Sequence, residues 1–174
     1  ERLRDEPMKE ICRDPRDGAE FGNCHVVRGG AVLTGKVTGA TPEGRLAGTP
    51  MAASVAASCG VERNGPTAVL NSILKMNPVK SWQCGYNVNL RFHRSMLTEK
   101  QNRDKVHAML DAYFRCGGQE MQINCVDSET LRAAQERPAE YRHLVVRVAG
   151  FSAYFVDLIA EMQDDIIART EHGA

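Results

Sequence analysis

Leu144-Val145-Val146-Arg147-Val148-Ala149-Gly150-Phe151-Ser152-Ala153-Tyr154-Phe155 is the stretch that decides how this chain reads. The β-branched residues Val145, Val146 and Val148 lead into Gly150, and such residues suit an extended strand. Beyond the glycine, Phe155, Leu158, Ile159, Met162, Ile166 and Ile167 recur at helical spacing, with a break expected near Asp157–Glu161. The order is strand, tight turn, then helix from about Ser152. It predicts Gly150 at the tip of a buried loop. Glycine has no Cβ and accepts backbone angles that other residues avoid. Taken alone, Ala149-Gly150 also fits an ordinary strand-to-helix turn.

Working outward, the chain alternates helices and strands. Residues 1–23 are polar and punctuated by Pro7, Pro15, Gly18 and Gly22, which predicts loop with a short helix near Met8–Arg13. Residues 24–50 are rich in glycine and predict turns and short extended pieces. Neither phosphate-loop pattern, G-x-x-x-x-G-K-[ST] or G-x-G-x-x-G after a clear strand, occurs there. Asn64 reads as an N-cap with Pro66 in the first turn of a helix, whose face carries Val69, Leu70, Ile73 and Leu74. Tyr86, Val88, Leu90 and Phe92 alternate with Asn87, Asn89 and Arg91, the period of a half-buried strand. Thr98 and Gln101 read as a capping box. Val106, Met109, Leu110, Tyr113 and Phe114 form the stripe of a helix that ends at Gly117-Gly118. Met121, Ile123 and Cys125 alternate with Gln122 and Asn124 as a second strand, and Asp127 caps a helix that Pro138 ends. Such alternation predicts an α/β fold.

Composition narrows the function classes. The chain has 174 residues, 43% hydrophobic and 25% charged, which is a soluble globular composition. Lys+Arg and Asp+Glu both number 22, so nothing points to nucleic acid or an anionic membrane as partner. No apolar run reaches the length of a transmembrane helix, and the charged amino end, Glu1-Arg2-Leu3-Arg4-Asp5-Glu6, does not read as a signal peptide. Cys12, Cys24, Cys59, Cys84, Cys116 and Cys125 form no C-x-x-C pair and match no zinc or iron–sulfur spacing. They read as reduced thiols, and the expected location is cytoplasmic. His143 and His172 have no catalytic partner in the sequence and read as surface or satisfied polar groups. The start at glutamate reads as a processed end or a fragment of a longer gene product.

The twelve-residue stretch around Gly150 resembles the radical loop of the glycyl radical enzymes, the family of pyruvate formate-lyase. The resemblance runs further. Val37-Thr38-Gly39-Ala40-Thr41-Pro42-Glu43-Gly44-Arg45-Leu46-Ala47-Gly48 is similar to the family's TGATPDGR.AG segment. Asn64-Gly65-Pro66-Thr67-Ala68-Val69 is similar to its NGPTAV helix start. Phe114 through Asp127 resembles its F..GG...Q.NVVD run. Phe151 stands where tyrosine is more usual, and the helical stretch that members carry before Thr38 is nearly absent. The dehydratase, decarboxylase and alkylsuccinate synthase branch fits better than pyruvate formate-lyase itself.

The resemblance implies a fold, a chemistry and partners. The fold would be the C-terminal part of a ten-stranded α/β barrel, with the radical loop inserted into the barrel centre. Residues 1–36 would be an irregular N-terminal segment and residues 37–174 the glycyl radical domain. Gly150 would store a radical on its α-carbon. Such a radical is stabilised by delocalisation into the flanking amides, which needs a flat centre that a side chain would crowd. An activating enzyme, using an iron–sulfur cluster and S-adenosylmethionine, would remove the hydrogen atom; no cofactor would be bound by the chain itself. Arg147, Val148, Ala149 and Phe151 would be read by that enzyme. For Arg147, pinning of the loop by a carboxylate and a salt bridge at a strand end stand beside that reading. The radical would pass to a cysteine on the remainder of the enzyme, which would then take hydrogen from a small-molecule substrate. No cysteine of this chain matches that cysteine's loop. Three roles follow: the radical domain of a lyase, a stand-alone spare part that replaces an oxygen-cleaved domain, or a non-catalytic interaction module.

Overall fold

The computed structural model describes Arg16 and residues 30–58, 60–82 and 85–173. The helix expected near Met8–Arg13, and Cys12, Cys24, Cys59 and Cys84, lie outside the described residues. Helices α1 (Ala31–Val37), α2 (Pro66–Leu74) and α3 (Pro78–Ser81) precede strand β1 (Asn89–Phe92). Then come α4 (Ser95–Thr98), α5 (Lys100–Arg115), β2 (Gln122–Asn124), α6 (Ser128–Glu136), β3 (Val145–Arg147), β4 (Ser152–Tyr154), α7 (Ala160–Ala168) and β5 (Glu171–His172). Short 3-10 turns occupy Pro138–Glu140 and Phe155–Asp157. The strands form a parallel sheet in the order β2-β1-β5 and a separate antiparallel hairpin of β3 and β4. The fold is α/β, with α4 and α5 supplying the crossover that the parallel pair β1–β2 requires.

Local chemistry explains most of the helix ends. Pro66 opens α2, and Leu70 and Ile73 bury its apolar face. The residue before the proline is Gly65 at φ +80°, so it takes the cap position expected of Asn64. The capping box expected at Thr98 and Gln101 is not formed. Glu99 precedes α5, and the Thr98 hydroxyl instead donates to the carbonyl of Arg94, the residue that starts α4. At its other end α5 closes as the sequence indicates. Gly117, at φ +93°, and Gly118 turn their N–H groups onto the Phe114 and Tyr113 carbonyls. A Cβ at residue 118 would fall 2.4 Å from the Tyr113 ring. Asp127 Oδ1 accepts the Thr130 N–H at 2.7 Å and starts α6.

Helix α1, which lies just before Thr38, departs from the expectation of turns and extended pieces. Gly35 weakens helix propensity in isolation. Here it lets the 49–50 backbone approach so closely that a Cβ would lie 2.3 Å from the Thr49 carbonyl oxygen. Tertiary packing therefore outweighs the local preference. The following loop is gathered by Arg45, whose guanidinium donates to the carbonyls of Thr38, Gly39, Leu46 and Thr49.

Apolar residues divide into two clusters on either side of the sheet's polar face. The first joins Leu70, Ile73, Trp82, Tyr86, Val88, Leu90, Phe92, Met96, Val106 and Tyr113. The second joins Leu131, Ala134, Val146, Val148, Phe155 and Ile166. Between them lies the polar side of β1 and β2. The register pairs Asn89 with Gln122 and Arg91 with Asn124, so these four side chains form one patch. All four are buried. The expectation of a half-buried strand is corrected: both faces of β1 are covered, because polar groups of the module around the second cluster, which holds α6, β3, β4 and α7, lie over this one.

Arg91 is the centre of that contact. Its side chain is 2% exposed and bonds the Ile166 and Ile167 carbonyls, the Ser128 hydroxyl and Glu171 Oε2, the last at 2.6 Å. Burial pushes the Glu171 carboxyl up, but hydrogen bonds from Ser128 and Arg91 outweigh it and hold the pKa below the ordinary glutamate value of 4.5. A depressed folded-state pKa contributes stability that is complete above the unfolded value and lost as pH falls through the folded one. Thermal melts should therefore show a fall in Tm on acidification below about pH 4.5, and Glu171→Gln should flatten that slope. An equally steep slope in the variant would place the acid sensitivity elsewhere.

Candidate functional site: a glycine hairpin seated on a polar strand face

Strands β3 and β4 pair Val145 with Tyr154, Val146 with Ala153 and Arg147 with Ser152. The Val148 N–H donates to the Phe151 carbonyl at 2.9 Å, which leaves Ala149-Gly150 as the tip. Gly150 takes φ +77°, a left-handed conformation that favours glycine. Among the described residues nothing lies within 4 Å of where its Cβ would sit. One expectation is corrected here. The chain leaves Gly150 in a strand, not in a helix from Ser152, because the positive φ reverses the chain tightly enough for β4 to pair back on β3. On this chain by itself Gly150 is exposed, and the expected burial is that of the loop within the whole enzyme.

The backbone that leads into the glycine is held by side chains from elsewhere. Asn124 makes two bonds to Arg147: its Oδ1 accepts the Arg147 N–H at 2.8 Å, and its Nδ2 donates to the Arg147 carbonyl at 2.7 Å. Arg169 donates to the Val148 carbonyl at 2.8 Å and pairs with Asp165 at 3.0 Å. Gln122 Oε1 accepts the Gly150 N–H at 3.0 Å. Ordinary residues at a hairpin tip satisfy these groups with water; here three protein side chains do so.

The other expected site residues separate by exposure. Val148 and Ala149 are buried, whereas Phe151 is 46% exposed. The Arg147 guanidinium bonds Ser152 Oγ across the hairpin at 3.1 Å, and no carboxylate among the described residues pairs with it. Val145 and Tyr154 are exposed with Phe151, giving the hairpin an apolar outer side. A cleft of about 540 Å³ runs between β2 and the hairpin, lined among others by Gln122, Asn124, Cys125, Arg147 and Ser152. Burial raises the Cys125 thiol pKa and keeps it protonated, while Cys116 is exposed. His143 is exposed and His172 buried, its ring 5.8 Å from that of Phe92. No helix among the described residues is long and apolar enough to cross a membrane.

Sequence reading missed Gln122, Asn124 and Arg169 as holders of the loop. For Gln122 and Asn124 the signal was the run of amides on one face of β1 and β2, which alternation alone cannot distinguish from a wet face; Arg169, just past α7, carried none.

The family described as "Glycine radical" matches residues 51–156, a span that contains Gly150. Indoleacetate decarboxylase of Tractidigestivibacter scatoligenes is 43% identical over 141 residues, covering 80% of this chain and 16% of that protein. Trans-4-hydroxy-L-proline dehydratase of Clostridioides difficile is 39% identical over 148 residues, covering 85% and 18%. Among solved structures, the glycerol-bound B12-independent glycerol dehydratase from Clostridium butyricum superposes with a TM-score of 0.84 at 39% identity, over 90% of this chain and 20% of that one. The chain belongs to the glycyl radical enzyme family, among relatives that include decarboxylases and dehydratases. It spans less than a fifth of the length of these two curated relatives.

Proposed function

We propose that Gly150 stores the unpaired electron of a decarboxylase- or dehydratase-type radical lyase. The observation that carries this reading is the placement of Gly150. It lies inside the matched family span, at a hairpin tip with positive φ and open space where a Cβ would sit. Loss of one α-hydrogen leaves a centre that can flatten without displacing a side chain. The activating enzyme takes that hydrogen atom using S-adenosylmethionine and an iron–sulfur cluster. Gly150 then regains hydrogen from the thiol of a cysteine on the remainder of the enzyme, leaving a thiyl radical. The thiyl removes hydrogen from a small-molecule substrate and returns it after a bond has broken or formed. The protein's contribution is position and exclusion of solvent and oxygen.

The remainder of the enzyme has two places to meet this chain: the cleft beside β2, and the apolar outer side of the hairpin at Val145, Phe151 and Tyr154. Covering that side would bury the exposed glycine within a barrel completed by further strands. Residues 37–174 act as the radical domain, with α1 packed on it from the preceding segment. Arg147 and Phe151 are open to contact with the activating enzyme. Val148 and Ala149 are buried, so they contribute to recognition only when the hairpin leaves its seat.

The test is an anaerobic assay of the activated chain, alone and mixed with a companion that carries the catalytic cysteine but lacks its own radical domain. The chain alone should turn over no substrate, and the mixture should. Turnover by the chain alone would mean that one of its own cysteines carries the thiyl radical.

A further inference from the structure

We infer that Gln122 is a positioning residue for the radical glycine, oriented for that purpose by Glu120. The inference rests on the reading of Gly150 given above and goes further, because it assigns a role outside the radical loop. Gly150 sits at a hairpin tip, where its N–H has no ladder partner. The acceptor it finds is Gln122 Oε1 at 3.0 Å, on a side chain that is buried.

An amide side chain can present either its oxygen or its nitrogen, and a nitrogen facing the Gly150 N–H would repel it. What decides the orientation is the other end of the same amide. Gln122 Nε2 donates to Glu120 Oε1 at 2.8 Å. An ionised carboxylate only accepts, so Glu120 holds the amide nitrogen and turns the oxygen to the glycine. Asn87 Nδ2 also donates to Glu120 Oε1, at 3.3 Å, and Asn89 Nδ2 donates to Asn87 Oδ1 at 2.7 Å. Two lines of donors along the sheet's polar face thus converge on Glu120 Oε1, one from Asn89 through Asn87 and one from the Gly150 N–H through Gln122.

The Gly150 amide is one of the two groups into which a radical on the α-carbon delocalises. Fixing its plane fixes how the nitrogen lone pair meets the radical orbital. Asn124 and Arg169 hold the carbonyls and N–H that precede the glycine. Gln122 is the side chain among the described residues that bonds the glycine itself.

The experiment is amide hydrogen exchange at Gly150 in the 174-residue chain, read for wild type, Gln122→Leu, and the exchanged pair Gln122→Glu with Glu120→Gln. Leucine removes the acceptor, and loss of a hydrogen bond of ordinary strength should speed exchange about tenfold. The exchanged pair keeps an acceptor oxygen at residue 122 and a donor at residue 120, so protection should return to the wild-type level. Exchange at the Phe155 N–H, which bonds the Leu144 carbonyl in the same module, reports folding and should not change. In the activated chain, the glycine doublet in the paramagnetic resonance spectrum should broaden in Gln122→Leu and sharpen again in the exchanged pair. Unchanged exchange at Gly150 in Gln122→Leu, or fast exchange that the exchanged pair does not slow, overturns the assignment. Exchange is read without any radical, so such a failure falls on Gln122 alone; a wild-type chain that yields no glycine radical would count against the reading of Gly150 instead.

Discussion

Gly150→Ala in this chain should fold, yet give no organic radical with the activating enzyme and no backbone cut on exposure to air. The two halves of that expectation have separate causes. Folding survives because nothing among the described residues lies within 4 Å of the new methyl. The cost is the strain of placing an L-residue at φ +77°, about 1–2 kcal/mol. The chemistry fails because alanine's methyl crowds the plane in which the α-carbon radical must lie, and because the activating enzyme must reach a methine in place of a methylene. Circular dichroism would show the fold, and paramagnetic resonance the loss of signal. The loss expected is complete, far beyond what a strained turn produces by loosening. A signal of wild-type size in the alanine variant would place the radical on another residue.

Arg91→Leu should be the most damaging change to stability among the residues described. The guanidinium is buried and serves the ends of α6, α7 and β5 at once, through Ser128, two α7 carbonyls and Glu171. Removing it leaves those carbonyls without this donor and the Glu171 carboxylate with Ser128 but no cation. Breaking a buried pair from one side costs about 3–5 kcal/mol, which for a chain of this size lowers Tm on the order of 10 °C. Arg91→Lys should recover only part of this, since a single ammonium cannot span partners that the planar fork reaches together. A melt within a degree or two of wild type would show that the two modules are held together by their apolar clusters alone. Because the same face carries Gln122 and Asn124, loosening it should also speed amide exchange in the hairpin.

How much of this was legible before the fold was known depends on the kind of signal. Gly117-Gly118 and Asp127 were readable because caps and left-handed turns are decided by a few neighbouring atoms. The strand before Gly150 was readable from its valines. The Ser152–Tyr154 strand was not. Ser-Ala-Tyr has no strong preference, and pairing back on β3 is a consequence of the glycine's φ, which sequence permits but does not require. Helix α1 was hidden for a related reason. Gly35 looks like a breaker until the Thr49-Pro50 backbone is seen to need the space of its missing side chain. The polar face of β1 and β2 was legible as a pattern but not as a surface. Alternation reports which residues share a side; it does not say whether water or another part of the chain covers them. Gln122 and Asn124 were therefore visible as amides with no assigned task, and Arg169 only as one more cation near the end of the chain.

The most direct measurement of the central claim is the position of the cut when the activated chain meets air. A radical on an exposed α-carbon should take up dioxygen there and break the backbone at that residue. Mass spectrometry of the fragments should place the break at Gly150, in proportion to the radical counted beforehand. An intact chain after loss of the radical signal, or a break at any other residue, would contradict the assignment of the radical to Gly150.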